Sequence, residues 1–303
     1  MNSAIITGAS GAVGYGLIRA LLDDGVDVTA LGRTAPKIDG VEFIKCDLSE
    51  LADISLSVNA DAFFHLAWNG TYGADRNDEA QQFKNVGYTL DAVRLAHKLG
   101  CKSFVGVGSQ AEYGVVPYGT ALTPQLDCNP QNFYGKAKLE TRSKAAELCR
   151  ELGIKFNWCR IISAYGIGDK PYTMVMQTVA KMCRGESCDF TPCDQIWDYM
   201  YNEDLGRAML LVADKGIDGS TYVLGCGKPA PLKEYIGKIY NAVGNSNAKC
   251  NFGAIDYFEN QPMYLCADIS DLVRDTGFVP QVDFDEGIRR TVQWYKNQMS
   301  EEE

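Results

Sequence analysis

The eight residues TGASGAVG, Thr7 to Gly14, constrain this chain more than any other stretch. They put glycines at positions 8, 11 and 14, directly behind the apolar run 4–7, and lead into AVGYGLIRALLDDG, whose apolar residues recur three and four apart. A strand that turns at once into a helix aims the free N–H groups and positive end of that helix at one point, which suits a phosphate. In such a turn Gly8 permits the tight bend, Gly11 lets the backbone approach a pyrophosphate, and Gly14 lets the helix lie close to the strand. Ala12 and Val13 open the helix between them and belong to the same binding set.

Behind this start the chain alternates. Short apolar runs at 4–7, 26–31, 42–45, 62–66, 103–107 and 156–160 are separated by segments of helical period at 13–24, 78–99 and 133–152. That pattern predicts an α/β fold, a doubly wound parallel sheet of the Rossmann type. After about Gly166 the alternation weakens: 168–185 reads as helical, 220–225 as a strand and 286–299 as a closing helix. The expected division is a dinucleotide-binding domain at 1–165 and a smaller, mainly substrate-binding lobe at 166–303, with some segments returning to the first domain. Residues 300–303 are expected to form a frayed acidic tail.

Charge and cysteines narrow the partners. A formal charge of −10 without a basic block disfavours nucleic acid and anionic membranes, so the expected partner is a small molecule. No apolar stretch is long enough to span a bilayer and the first residues lack a leader pattern, which predicts a cytoplasmic protein. Eleven cysteines without a secretory pattern read as reduced thiols, mostly small buried hydrophobes. Cys183, Cys188 and Cys193 form the tightest group, yet His65 and His97 lie far from them in sequence, and no metal is expected.

The chemistry lies in two further motifs. In YGKAK, Tyr134 and Lys138 stand one helical turn apart, and of sixteen tyrosines only this one has a lysine four positions on. Upstream, FVGVGSQAEYG reads as a strand ending in Ser109. With the T-G-x-x-G-x-x-G loop, this order resembles the short-chain dehydrogenases/reductases, particularly their extended branch. FFHLAW, KNVGYTLDAV, RIISAYG and WDYMYNEDLGRAM extend the resemblance over nearly the whole chain, toward members that act on nucleotide-activated sugars.

The resemblance implies a Ser109–Tyr134–Lys138 constellation. Tyr134 would move the proton, Ser109 would hold the reacting oxygen, and Lys138 would lower the phenol pKa and reach the nicotinamide ribose. It also implies that Asp47, Leu48, Leu66 and Ala67 join the cofactor site, Asp47 by accepting from the adenine amino group, although a helix cap is an equal reading of that aspartate. At the end of the second strand, where NAD-binding relatives carry an acid, this chain has Gly32 followed by Arg33. A cation there favours NADP(H) over NAD(H), against the plainer reading of Arg33 as a solvated charge. His65, in an apolar strand, is expected in the core.

Residues after Ser109 divide the reaction classes. Sugar 4,6-dehydratases of this family carry an Asp-Glu pair there, and this chain has Gln110 and Ala111, with Glu112 expected to point the other way. A 4-ketoreductase and a 4-epimerase are therefore both preferred over a dehydratase, and Arg33, which favours the NADPH that reductive steps draw on, tilts the choice slightly to the 4-ketoreductase. Two departures bear on the substrate. Trp197 replaces the arginine of the family's R-D-[FY] motif, and Ser163 replaces an asparagine, so a diphosphate would need Lys170, Lys181 or Arg184. Gln110, Ser163 and Trp197 are the candidate substrate residues, Trp197 having core packing as its plainer reading. A non-catalytic NADP(H) sensor and a reductase of a non-nucleotide carbonyl are the competing functions. The helices at 78–99 and 133–152 correspond to those that pair in dimers of the family, which suggests a homodimer.

Overall fold

The computed structural model describes residues 1–259 and 261–302. Its first half is built from six parallel strands, β1 (Ser3–Thr7), β2 (Asp27–Gly32), β3 (Val41–Lys45), β4 (Ala62–His65), β5 (Ser103–Ser109) and β6 (Lys155–Ile161), with helices α1 (Ala12–Asp23), α2 (Glu79–Lys98) and α3 (Phe133–Leu152) crossing between them. In space the strands run β3-β2-β1-β4-β5-β6, and Thr221–Leu224 adds a seventh, parallel to β6. The order reverses between β1 and β4, whose registers pair Ala4 with Ala62 and Thr7 with His65. A doubly wound sheet opens a crevice at that switch point, beyond the carboxyl ends of the strands.

Successive residues on the central strands supply opposite layers. Ile6 and Phe64 pack with Leu17, Ile18 and Leu21 of α1 on one face, and Ile5 and Phe63 with Val93 and Leu95 of α2 on the other. The first layer is closed by α5 (Asn202–Lys215), and α1 and α5 cross so closely that a Cβ on Gly16 would overlap the Asn202 carbonyl.

The remaining lobe contains α4 (Met174–Cys183), α6 (Leu232–Val243) and α8 (Phe284–Glu302), with a parallel pair of strands, Ser187–Phe190 and Lys249–Phe252. Its own core is formed by Val179, Met182, Ile236, Ile239, Phe284 and Ile288. The helix expected over 168–185 begins only at Met174, because Thr173 caps it by accepting from the Met176 amide and Asp169 holds the turn before it. α7 (Ser270–Thr276) packs back beside α5 and Thr221–Leu224. The end expected to fray at 300–303 is helical as far as Glu302, and Glu303 lies outside the described residues. Among the described residues no helix is long and apolar enough to cross a membrane.

Candidate active site

At the switch point the loop Gly8–Gly11, the ends of β2 and β3, and Leu66–Asn69 enclose a cleft of about 320 Å³. Gly8, Gly11, Arg33, Asp47, Leu48, Leu66 and Ala67 line it, joined by Thr34, Trp68 and Lys170. Gly8 adopts a φ of +78°, and a Cβ there would stand 2.7 Å from the Ala67 amide nitrogen, so only glycine lets the loop lie against the end of β4. A Cβ on Gly11 would meet only the Gly8 carbonyl, at 3.8 Å, leaving free space where a pyrophosphate would approach. Ala12, Val13 and Gly14 form the first turn of α1 behind the loop. This cradle, at a helix N-terminus and a sheet switch point, fits a dinucleotide.

Arg33 extends into solvent at the cleft edge, its side chain 71% exposed and its Nε 3.9 Å from Asp47 Oδ2. Asp47 caps the short 3-10 turn Leu48–Glu50, accepting from the Ser49 amide at 3.1 Å while Glu50 accepts from the Asp47 amide. The Ser49 amide and hydroxyl, both donating to its carboxyl, hold it below the usual range, with Arg33 adding a smaller pull. The capping reading of Asp47 is therefore the one its contacts express.

Ser109 ends β5, and Tyr134 and Lys138 rise from the first turns of α3, whose N-cap Asn132 accepts from the Gly135 amide at 2.8 Å. Ser109 lies within hydrogen-bonding reach of the half-buried Tyr134 phenol. The Ser109 Oγ accepts from the Ala111 amide at 3.2 Å, which leaves its proton free to donate outward. Lys138 Nζ donates to the Val107 carbonyl at 2.7 Å and sits 3.7 Å from the centre of the Trp68 ring, but 5.8 Å from that of Tyr134.

The expected lowering of the Tyr134 pKa by Lys138 is not what these surroundings produce. Burial raises the phenol, a bond from Ser109 and the Arg76 charge pull it down, and Glu112 pushes it up again. Burial also brings Lys138 down to about 7, opposed by the Glu112 charge. Its ammonium is engaged by a carbonyl and an indole face rather than by the phenol. Trp68 packs edge-on to Tyr134, with ring centres 6.1 Å apart, and also lines the cleft, so it links Tyr134 to the glycine-loop side.

Beneath this layer lies a buried ion pair. Glu112 Oε1 accepts from the Ser109 amide at 2.9 Å and from the Trp158 indole at 3.0 Å, and its Oε2 accepts from Arg160 Nε at 2.7 Å. Both charged side chains are almost wholly inaccessible, at 0% and 1% exposure. Gly106 and Gly108, two apart on one face of β5, leave room for the Trp158 indole that completes the cluster. Glu112 thus turns inward, away from the reacting face. The signal that marks the pair in the sequence is a lone arginine inside the apolar run FNWCRII. His65 is buried, bonded through Nδ1 to the Thr7 hydroxyl at 2.9 Å, and burial lowers it to about 3, so it stays neutral.

The substrate candidates are spread more widely. Gln110 opens the 3-10 turn after Ser109, and the Ser163 carbonyl accepts from the Met200 amide at 2.9 Å. Trp197 packs between two apolar clusters, and the neighbouring Asp198 is buried, accepting from the amides of Cys226, Gly227 and Ala267. Of the three cations considered for a diphosphate, Lys170 lines the glycine-loop cleft, Arg184 is paired with Glu186, and Lys181 borders a cavity of about 360 Å³ that includes Tyr72, Tyr172 and Thr173. Tyr72 and Tyr172 meet with ring centres 4.2 Å apart, bridging the loop after β4 to the smaller lobe.

A model of the NAD dependent epimerase/dehydratase family matches residues 4–225. A CDP-abequose synthase of Salmonella muenchen is 26% identical over 292 residues, which cover 94% of this chain and 95% of that protein. A dTDP-glucose 4,6-dehydratase of Streptomyces griseus is 24% identical over 316 residues, covering 98% and 94%. The solved structure of a UDP-glucose 4-epimerase from Thermotoga maritima, with UDP-glucose, matches with a TM-score of 0.87 at 22% identity, over 98% of this chain and 99% of that one.

Proposed function

Since the chain belongs to the NAD dependent epimerase/dehydratase family, we propose that it transfers hydride at C4 of a nucleotide-activated sugar, as a 4-ketoreductase in preference to a 4-epimerase. The protein is an NAD(P)-dependent enzyme of the extended short-chain dehydrogenase type. Tyr134 is the general acid/base, Ser109 orients the reacting oxygen, and Lys138 holds the layer beneath them. Residues 1–165 carry the cofactor and 166–303 mainly the substrate.

What supports this reading is the nearness of Ser109 to the Tyr134 phenol, which Trp68, a lining residue of the glycine-loop cleft, packs against edge-on. The bound nicotinamide cofactor supplies or accepts the hydride. In the reductive direction Tyr134 would give its proton to the substrate oxygen, and its phenolate would regain a proton from water. Ser109 donates to the same oxygen, its acceptor side being occupied by the Ala111 amide. Two features speak against a dehydratase. Ala111 has no acid to offer, and Glu112 is spent on Ser109, Trp158 and Arg160.

NADP(H) is favoured because Gly32 offers no carboxylate to repel a 2′-phosphate and Arg33 stands at the cleft edge. Lys170 is a second cation lining the same cleft. The outer faces of α2 and α3, which pack side by side, are the proposed homodimer surface, to be checked by light scattering.

The deciding experiment mixes purified protein with NADPH and a 4-keto nucleotide sugar and follows nicotinamide absorbance. Stoichiometric loss supports the ketoreductase. Interconversion of C4 epimers without net loss assigns the epimerase, and neither outcome with any nucleotide sugar removes the proposal.

A further inference from the structure

Arg76 is carried on the 3-10 turn Gly73–Asn77, between β4 and α2, and its guanidinium carbon lies 4.7 Å from the centre of the Tyr134 ring. Its Nε is buried without a hydrogen-bond partner, and among the described residues no carboxylate pairs with it. A half-buried guanidinium without an anion is costly, and the face of a neutral ring returns only about 0.5–2 kcal/mol.

The arm that holds it is well fastened. Gln82 and Asn85, both buried on α2, grip the loop from below. Gln82 Nε2 donates to the carbonyls of Gly70 and Asp75, at 2.6 and 2.9 Å, while its Oε1 accepts from the Trp68 indole at 2.8 Å. Asn85 exchanges two bonds with the Asn69 backbone, at 2.9 and 3.0 Å. Trp68 and Arg76 are thereby fixed on two sides of Tyr134, an arrangement more specific than a solvated surface arginine requires.

We propose that Arg76 is a positioning residue of the proton-transfer step, its guanidinium holding the Tyr134 ring in place and stabilising the phenolate, the task that the sequence assigns to Lys138. This inference rests on Tyr134 being the acid/base. The other ionisable groups near the phenol are Lys138 from α3 and Glu112 from the turn after β5, backed by Arg160 of β6, while the neutral His65 of β4 lies near Lys138. Of the two nearby cations Arg76 lies nearer the ring, and the lowering that opposes burial comes from it and from Ser109.

The test replaces Tyr134 by a difluorotyrosine, which ionises in a range that the fold tolerates, and follows its titration by fluorine NMR in three backgrounds: the parent, R76M and R76K. Expected is a midpoint higher by about one pH unit in R76M, as when an opposite charge is withdrawn from a titrating group, and close to the parent value in R76K. An unmoved midpoint in R76M overturns the proposal, as does a higher KM for a nucleotide sugar with the midpoint unchanged, which would make Arg76 a substrate ligand. If R76M loses its circular dichroism signature, R76Q takes its place under the same criteria. The titration needs no substrate, so it reads Arg76 even where the sugar assignment fails. Conversely, loss of turnover in Tyr134→Phe beside an unmoved midpoint would uphold the acid/base and sink the role of Arg76.

Discussion

The Ser109 amide donates to Glu112 Oε1 at 2.9 Å, and that same carboxylate balances the buried guanidinium of Arg160. One side chain thus fixes the backbone at Ser109, the proposed orienting residue, and neutralises a charge in the core. Substituting Glu112 by Gln keeps the shape, but it turns one acceptor into a donor facing other donors and leaves Arg160 unpaired. Removing one partner of a buried pair costs roughly 3–5 kcal/mol. The expected outcome is a markedly lower unfolding midpoint in denaturant for E112Q, with a fall in kcat at temperatures where it remains folded. An unfolding midpoint equal to that of the parent would show that the pair is not holding Ser109.

Lys138 makes stability depend on pH in a defined direction. Its pKa in the fold is about 7, below the ordinary lysine value of 10.5. Between those values the unfolded chain binds the proton and the folded one does not, so the Lys138 contribution to stability rises with pH across that window and is constant below it. In K138M this dependence disappears. Unfolding free energies of parent and variant, measured from pH 7 to about 10, are expected to shift relative to one another in favour of the parent as pH rises. Parallel curves would contradict the depressed lysine.

Tyr134→Phe removes the proposed proton carrier and nothing that lines the glycine-loop cleft. Turnover is expected to fall by about 10²–10⁴-fold, the usual worth of a positioned acid or base, while cofactor affinity by fluorescence titration stays within twofold or so. Equal losses in both would instead give Tyr134 a structural or binding role.

Much of this architecture is legible in the sequence because each part has a local cause. The run 4–7 followed by Gly8, Gly11 and Gly14 announces β1, the loop and α1, and the expected helix at 133–152 coincides with α3. α3 holds Tyr134 and Lys138 in its first two turns, and both are singled out by their spacing together with the resemblance carried by the stretch ending in Ser109. What surrounds them is not, because those partners come from remote positions: Arg76 and Trp68 from the loop after β4, Glu112 from the turn after β5, Arg160 and Trp158 from β6. The i, i+4 pattern puts lysine on the phenol's side of the helix without revealing that Trp68 and the Val107 carbonyl take up its ammonium. Tertiary placement likewise joins Thr221–Leu224 to the sheet, since a short apolar strand carries no address.

Gly11 and Gly14 are expected to separate binding from folding. A Cβ on Gly14 would fall on the Gly8 carbonyl and the Ala9 backbone, so G14A must displace the loop and is expected to lose both stability and dinucleotide affinity. G11A meets no protein atom closer than 3.8 Å and is expected to melt within about 1 kcal/mol of the parent, as compatible Gly→Ala changes do. Its dinucleotide affinity should nevertheless drop, because the added methyl enters the cleft. Calorimetry and cofactor titration on the two variants check the contrast, and an unimpaired affinity in G11A would move the pyrophosphate elsewhere.

The cofactor choice turns on Arg33, whose exposure makes it a clean probe: among the described residues its one ionic contact is the long one to Asp47, at 3.9 Å with the side chain 71% exposed, so its removal should cost little stability. A hydrogen bond to a charged group is worth about 1.5–3 kcal/mol, and the 2′-phosphate is the part of NADP(H) that NAD(H) lacks. R33S is therefore expected to weaken NADP⁺ binding roughly tenfold or more and to leave NAD⁺ binding nearly unchanged. Paired titrations with the two dinucleotides give the answer directly. Equal weakening would assign Arg33 to the shared adenosine, and no weakening of either would return it to the solvated surface and transfer the phosphate to Lys170, the other cation lining the cleft.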